Sequence, residues 1–545
     1  MDPSTSAGRA RRAHHVVGMT LTVLSGALVW AALAMPADLT GQGVAELLRL
    51  PVEVLVVVLL ALVLPRRALR VVALVLGLLL GLVVLLKALD LGFHATLDRP
   101  FNLLTDWSYL GPALGVLTDW VGRTRALLVA AAAVLAAVAV LAVLPAATAR
   151  VMGALAGQRR RVARALAVLT AVWVAAALTG AAWSSGVTVA SANSSRLVWD
   201  SATRLRHDLA DHAAFARQVA ADPFAAVPGD RLLTGLRGKD VLLVFVESYG
   251  RVALDDPEVA GVVRPALARA DRDLNAAGFS ARSAYLTSPT FGGASWLAHS
   301  SVEAGLWVDS QQRYDHLLAT DRLTLARAFG KAGWRTVFDV PATTRTWLAG
   351  RTFYGFDKLY TAENVGYRGP RFGYATMPDQ YTLQVFRDRE LAPGHRPPVM
   401  AEIDLLSSHY PWTPPPPLLP WGSLGDGSVF GRPAGASPDL PGDRTADPRQ
   451  IYGQTIAYAM RALASFAATS NDPNLVVIAM GDHQPNSSVT RPGASHQVPA
   501  MVIAHDPQVL DSVAGWGWSP GLTPSRDAPV WPMSALRDRI LTDFG

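Results

Sequence analysis

VLLVFVESYG, residues 241–250, is the stretch on which the fold turns. Six apolar residues follow Lys239 and Asp240, and the carboxylate of Glu247 arrives as that run ends, just before Ser248, Tyr249 and Gly250. An unbroken apolar run of this length reads as a strand buried on both faces, as in a parallel sheet. A carboxylate at its end is costly unless something holds it. In open α/β sheets ligands bind at the carboxyl ends of strands, so Glu247 is a candidate metal ligand or base. A solvated glutamate at a strand end is the plainer alternative.

Outward from that stretch, strand and helix patterns alternate. A helix over 265–277 is followed by FSARSAYL (279–286), a helix over 320–331, WRTVFDV (334–340), PPVMAEIDLL (397–406), a helix over 452–468, NLVVIAMGD (474–482) and VPAMVIAHD (498–506). This series predicts a doubly wound, mostly parallel α/β sheet. PWTPPPPLLPWGSLGDGS (411–428) is too rich in proline and glycine for strand or helix and predicts a long surface loop.

Other strand ends carry polar residues too. The run 474–482 leads directly into Asp482 and His483, with Gly481 letting the backbone turn, and such a pair suits a divalent cation. The strand 397–406 leads to His409, and His496 stands just before the strand 498–506. Each histidine alone is served equally well by an ordinary hydrogen bond. One Glu, one Asp and three His at the strand edges of a single sheet point together to a metal site. The segment 285–307, YLTSPTFGGASWLAHSSVEAGLW, places several hydroxyls around Gly292 and Gly293. A hydroxyl at a helix N-terminus that also touches a metal is activated as a nucleophile. Ser295, after Gly-Gly-Ala and before a helix-like run, is the first candidate and Thr290 the second, the alternative being an ordinary serine cap.

The first third of the chain has another character. Half of the 545 residues are hydrophobic and mean hydropathy is +0.24, with long Leu, Val and Ala runs concentrated before residue 184. A bilayer core of about 30 Å needs roughly 20 apolar residues in a helix. Five stretches are predicted to span: 16–35, 47–64, 71–89, 126–144 and 165–183. The second is bracketed by Pro51 and Pro65 and contains Glu53. The first follows Arg9, Arg11 and Arg12 and reads as an uncleaved span, because four more come after it. With the N-terminus inside, Arg66, Arg67, Arg70, Arg150, Arg159, Arg160, Arg161 and Arg164 also fall inside, and everything after 183 lies outside. The expected organisation is a membrane domain over 1–183, a connector over 184–240 and an extracytoplasmic catalytic domain over 241–545. Net charge is +6 and there is no cysteine, which excludes disulfides, thiolate metal sites and a cysteine nucleophile.

Together these motifs resemble the membrane-anchored, sulfatase-like branch of the alkaline phosphatase superfamily, which includes lipoteichoic acid synthases, phosphoglycerol transferases and phosphoethanolamine transferases. The resemblance covers nearly the whole chain. It implies one divalent ion, Mn or Zn, held by Glu247, Ser295, Asp482 and His483. It also implies substrate binding or proton transfer by His409, which stands in a Ser-His before Pro411, and by His496 before Val-Pro. TTRTWLAGRTFYGFDKLY (343–360) is similar to a region in which Trp347 and Arg351 would face the phosphate or head group. The departure is at the nucleophile. Lipid-modifying members use threonine, and sulfatases convert a Cys or Ser to formylglycine within Cys/Ser-x-Pro/Ala-x-Arg. Here Ser295 is followed by Trp296, Leu297, Ala298 and His299, which lacks both marks and favours a direct seryl or threonyl phosphoryl-enzyme. The activity implied is transfer of a phosphoglycerol- or phosphoethanolamine-type group from a membrane phospholipid to an envelope glycan or lipid at a bacterial inner membrane, with no nucleic acid involved. Hydrolysis of a phosphate or sulfate ester, and a silent envelope scaffold, are the rival readings.

Overall fold

The computed structural model describes residues 3–36, 48–97, 99–103, 105–184, 187–341, 343, 348–431, 447–491 and 493–545. The chain divides into two compact units, 1–210 and 211–545.

In the first unit, four helices among the described residues are long and apolar enough to cross a membrane: His15–Ala34, Arg66–His94, Arg123–Ala156 and Arg159–Thr179. The expected second span is different. It is a helix of 12 residues, Val52–Val63, about 18 Å long at the α-helical rise. Pro51 stands at its N-cap and Pro65 follows its C-cap Leu64, so prolines limit it at both ends. Its Glu53 is held by the backbone N–H and hydroxyl of Ser195, at 2.8 and 2.7 Å. The long helices turn apolar side chains outward, as lipid-facing helices do: Leu128 and Leu135 are 65% and 69% exposed. Close packing occurs at Gly77, where a Cβ would lie 2.4 Å from the Cα of Pro145.

The second unit is built on a nine-stranded sheet. In chain order its strands are β1 (Asp240–Val246), β2 (Ser280–Thr287), β3 (Arg335–Val340), β4 (Lys358–Thr361), β5 (Val399–Leu405), β6 (Leu475–Gly481), β7 (Gln497–Ala504), β8 (Ser519–Pro520) and β9 (Val530–Pro532). The spatial order is β8-β2-β7-β6-β1-β5-β3-β4, with β9 paired to β2. β6, β1, β5, β3 and β4 run parallel, whereas β7 is antiparallel to both neighbours and β8 is antiparallel to β2. The sheet is therefore mixed around a parallel centre. Every residue of β1, β5 and β6 is buried, as their apolar runs require.

Caps rather than periodicity set the helix limits. The helix expected from Pro265 begins eight residues earlier, as Pro257–Ala276, because the Asp256 side chain accepts from Glu258 N and Val259 N and proline occupies the first turn. The helix expected over 320–331 is the shorter Leu325–Lys331, started by the hydroxyl cap Thr324, and a separate helix, Gln311–Leu318 with the cap Ser310, precedes it. Between 411 and 431 the chain contains one short turn of 3-10 helix, Trp421–Ser423, in otherwise irregular backbone.

The N-terminal ends of the central strands are tied by Asp240. Its carboxylate takes two bonds from Arg396, at 2.7 and 2.6 Å, and one from Val399 N at 2.8 Å. Arg396→Ala would strand that buried carboxylate with one donor, so the full-length protein is expected to lose about 3 kcal/mol of stability, measured by chemical denaturation. An unchanged midpoint would remove this pair from the forces that hold β1 to β5.

Candidate active site

The register of the sheet makes the site. Val246, the last residue of β1, pairs with Gly481, the last residue of parallel β6, so Glu247 and Asp482 leave adjacent strands side by side. Gly481 permits this approach, because a Cβ there would lie 2.0 Å from the Tyr249 carbonyl oxygen. Asp482 Oδ1 accepts from Ser248 N and His483 N, both at 2.7 Å. Glu247 Oε1 accepts from the Ser248 hydroxyl at 2.7 Å.

His483 completes the group. Its Nδ1 lies 2.8 Å from the Gln484 carbonyl, which assigns the proton to Nδ1 and leaves the Nε2 lone pair facing inward. Nε2 is 3.5 Å from Glu247 Oε1 and 3.6 Å from Asp482 Oδ2. One ligand atom from each of Glu247, Asp482 and His483 lies within 4.8 Å of the other two. One nitrogen and two carboxylate oxygens form a donor set for a divalent transition metal. Electrostatics agree with that reading. Burial, and then the neighbouring Glu247, push the Asp482 carboxyl up to about 6. Burial alone would lower His483, but Asp482, Glu247 and the Gln484 carbonyl outweigh it and raise the imidazole. A cation would relieve the repulsion between the two acids.

Ser295 is at this group. Its Oγ is 3.2 Å from Glu247 Oε2 and 3.2 Å from His483 Nε2, at the first residue of the helix Ser295–Ala304. Ala294 before it has φ +61° and Ser248 has φ +55°. Left-handed backbone costs a non-glycine residue about 1 kcal/mol or more. Both residues adjoin site side chains, whereas Leu233 and Asn471 take the same conformation away from the site. Thr290 is placed otherwise: its hydroxyl donates to the Gly293 carbonyl, which closes the turn leading to Ser295.

A cavity of about 410 Å³ opens beside Ser295 and is lined by Glu247, Asp482 and His409 among others. His409 is half-buried and its ring stacks 3.7 Å from that of Tyr374. Burial, partly offset by the Tyr410 carbonyl, lowers its imidazole to about 4, so it is neutral at physiological pH. His496 sits apart, exposed, with Nδ1 3.3 Å from the Ser288 carbonyl. Arg351 is exposed on the short helix Leu348–Thr352 and is not among the lining residues. Trp347 lies outside the described residues.

The cavity also exposes residues that the sequence reading passed over. His299 lies one turn after Ser295 on the same helix, and Glu402 and Asp404 project from one face of β5; all three line the cavity. Both acids interrupt an otherwise apolar run, VMAEIDL, the same signal that singled out Glu247. Burial raises Glu402, and burial together with Glu402 raises its neighbour Glu303, so this fully buried pair holds a proton.

No protein-family model matches the chain, and no curated protein matches it. Among solved structures it is similar to the lipoteichoic acid synthase LtaP from Listeria monocytogenes, with 16% identity, 56% of this chain and 72% of that chain covered, and a TM-score of 0.34. It is similar to a protein in the alkaline phosphatase superfamily from Vibrio parahaemolyticus, with 15% identity, 54% and 68% covered, and a TM-score of 0.37. It is also similar to the Streptococcus pyogenes phosphoglycerol transferase GacH, solved with sn-glycerol-1-phosphate, with 14% identity, 61% and 81% covered, and a TM-score of 0.37.

A carboxyl whose folded pKa is raised binds more protons in the native than in the unfolded state, so its ionisation costs stability as pH rises above the ordinary carboxylate range. Glu402→Gln removes that cost. In metal-free protein the variant should melt above the wild type at about pH 8 and match it at about pH 4. A constant difference across that range would show that Glu402 is not held protonated by its surroundings.

Proposed function

We propose that this chain is a metal-dependent transferase that moves a phospho-alcohol group of the phosphoglycerol or phosphoethanolamine type from a membrane phospholipid to an envelope glycan or lipid. The observation that carries the reading is the position of Ser295 Oγ, 3.2 Å from both Glu247 and His483 at the head of a helix. Glu247, Asp482, His483 and the Ser295 oxygen would hold one Mn or Zn ion. When bound, that ion supplies acidification of the serine hydroxyl and positive charge for the phosphoryl oxygens.

In the first step Ser295 Oγ bonds to phosphorus, the bond from phosphorus to the diacylglycerol oxygen breaks, and the serine proton ends on that oxygen. In the second, the acceptor hydroxyl bonds to phosphorus, the bond to Ser295 breaks, and the acceptor's proton returns to the serine. His409, neutral and on the cavity wall, would relay the proton. The helix N-terminus behind Ser295 favours the negative charge that develops there. His496, Trp347 and Arg351 are assigned to the head-group side on motif resemblance alone. With water as acceptor, the same site would hydrolyse a phosphate ester.

We further assign residues 1–183 to a bacterial inner membrane, 184–240 to a connector and 241–545 to an extracytoplasmic catalytic domain. Charge placement supports this. If the segment containing Val52–Val63 does not cross, Arg66, Arg67 and Arg70 lie on the opposite side from Arg9, Arg11 and Arg12. If it does cross, all the arginine clusters fall on one side, as the positive-inside rule requires.

Ser295→Ala should lower transfer of label from phosphatidylglycerol by roughly 10³-fold or more while Mn binding survives; full activity would move the role to Thr290. The absence of cysteine makes topology directly readable. Asp273→Cys places one thiol on an exposed helix position, 62% accessible, and a membrane-impermeant maleimide should label it in intact spheroplasts. Labelling only after lysis would put the catalytic domain in the cytoplasm and exclude the lipid-to-envelope reaction.

A further inference from the structure

The same cavity carries a second group of metal-ligating side chains, separate from Glu247, Asp482 and His483. His299 Nδ1 faces Glu402 Oε1 at 3.0 Å and Asp404 Oδ1 at 3.7 Å. One ligand atom from each of the three lies within 4.8 Å of the others, and all three residues are buried. The imidazole is fixed by stacking on Phe245, with ring centroids 3.8 Å apart and planes 11° apart. Its backbone carrier, the helix that begins at Ser295, aims it at the same cavity as the nucleophile.

A plain hydrogen bond between His299 and Glu402 would satisfy one acid only. Asp404 Oδ1 is buried with no hydrogen-bond partner, although its side chain is only 10% exposed and faces His299. A buried polar oxygen left so is costly. Protonation, which burial favours at both Glu402 and Asp404, would remove the charge but leave this oxygen without a partner, and the described lining residues include no lysine or arginine that could supply one. A divalent cation satisfies the geometry and the charge together, with one nitrogen and two oxygen donors of the kind that suit Mn or Zn.

We propose that His299, Glu402 and Asp404 form a second divalent-cation site, so that the cavity binds two ions. Glu303, against Glu402 and bonded at 2.9 Å to Ala326 N, orients the Glu402 carboxylate from behind. The second ion would give the cavity a cationic wall facing a phosphoryl group held at Ser295.

The test uses the full-length protein in detergent, stripped with chelator, reloaded with Mn, desalted and assayed for Mn per chain. The wild type should retain two ions, and Asp404→Asn and Asp482→Asn should each retain one. One ion in the wild type, lost in Asp482→Asn and kept in Asp404→Asn, overturns the second site and leaves the Ser295 reading intact. One ion lost in Asp404→Asn and kept in Asp482→Asn supports this site and overturns the first. Should either variant fail to fold, anomalous scattering from Mn-soaked crystals of the unsubstituted protein decides. A peak bounded by His299, Glu402 and Asp404 supports the proposal, and density at Glu247 and His483 alone overturns it.

Discussion

Two parallel strands that end in the same register, each followed at once by a carboxylate, set the terms for the rest of the second unit. Hydrogen bonding fixes Val246 opposite Gly481, and the next residue of each chain is an acid. The sheet therefore forces Glu247 and Asp482 together whether or not their charges favour it. The raised carboxyl of Asp482 reflects this, since its burial is aggravated by Glu247. Such an arrangement is stable only with compensating donors nearby, and the structure supplies them from the turns: Ser248 N, His483 N and the Ser248 hydroxyl.

Those turns are tightly constrained as a result. Gly250 has no room for a side chain, because a Cβ would fall 1.8 Å from Gln484 Oε1. Gln484 in turn donates to the Ser495 carbonyl, and its own carbonyl receives His483 Nδ1 and Gly292 N. One residue thus links the Glu247 turn, the imidazole and the loop that carries Ser295. The strained backbone at Ser248 and Ala294 is tolerable because these contacts over-determine it.

Much of this was legible in the sequence because buried strands and strand-end charges both leave plain signs. The runs at 241–246 and 474–481 declare two central strands, and the residues after them declare the site. β4, β8 and β9 were not legible: at four, two and three residues they are too short for periodicity to register. Glu402 and Asp404 were missed for another reason. Their strand is legible from its apolar residues alone, and acids inside a buried run leave no periodic signal of their own. His299 was visible only as a departure from a sulfatase motif, although its four-residue spacing from Ser295 already placed both on one helix face. In the membrane unit, hydropathy found the long helices but not how sharply two prolines shorten the second one.

The sign of the cavity's charge is the hardest constraint on any chemistry there. In the proposed reaction a phosphodiester, negatively charged throughout its transfer, would approach a serine among Glu247, Asp482, Glu402 and Asp404. Among the described residues, the lining offers imidazoles but no lysine or arginine. His409 is neutral and burial holds Glu402 and Asp404 toward their protonated forms, so no fixed positive charge faces the carboxylates. In a low-dielectric pocket one uncompensated charge pair at contact distance outweighs any gain from aromatic packing around the head group. Under the proposed reaction the acids that ionise would serve as holders of cations. The wall of Phe245, Trp296, Tyr314, Phe338 and Tyr354 then serves a different purpose: it excludes water and strengthens the field of whatever cations the acids hold.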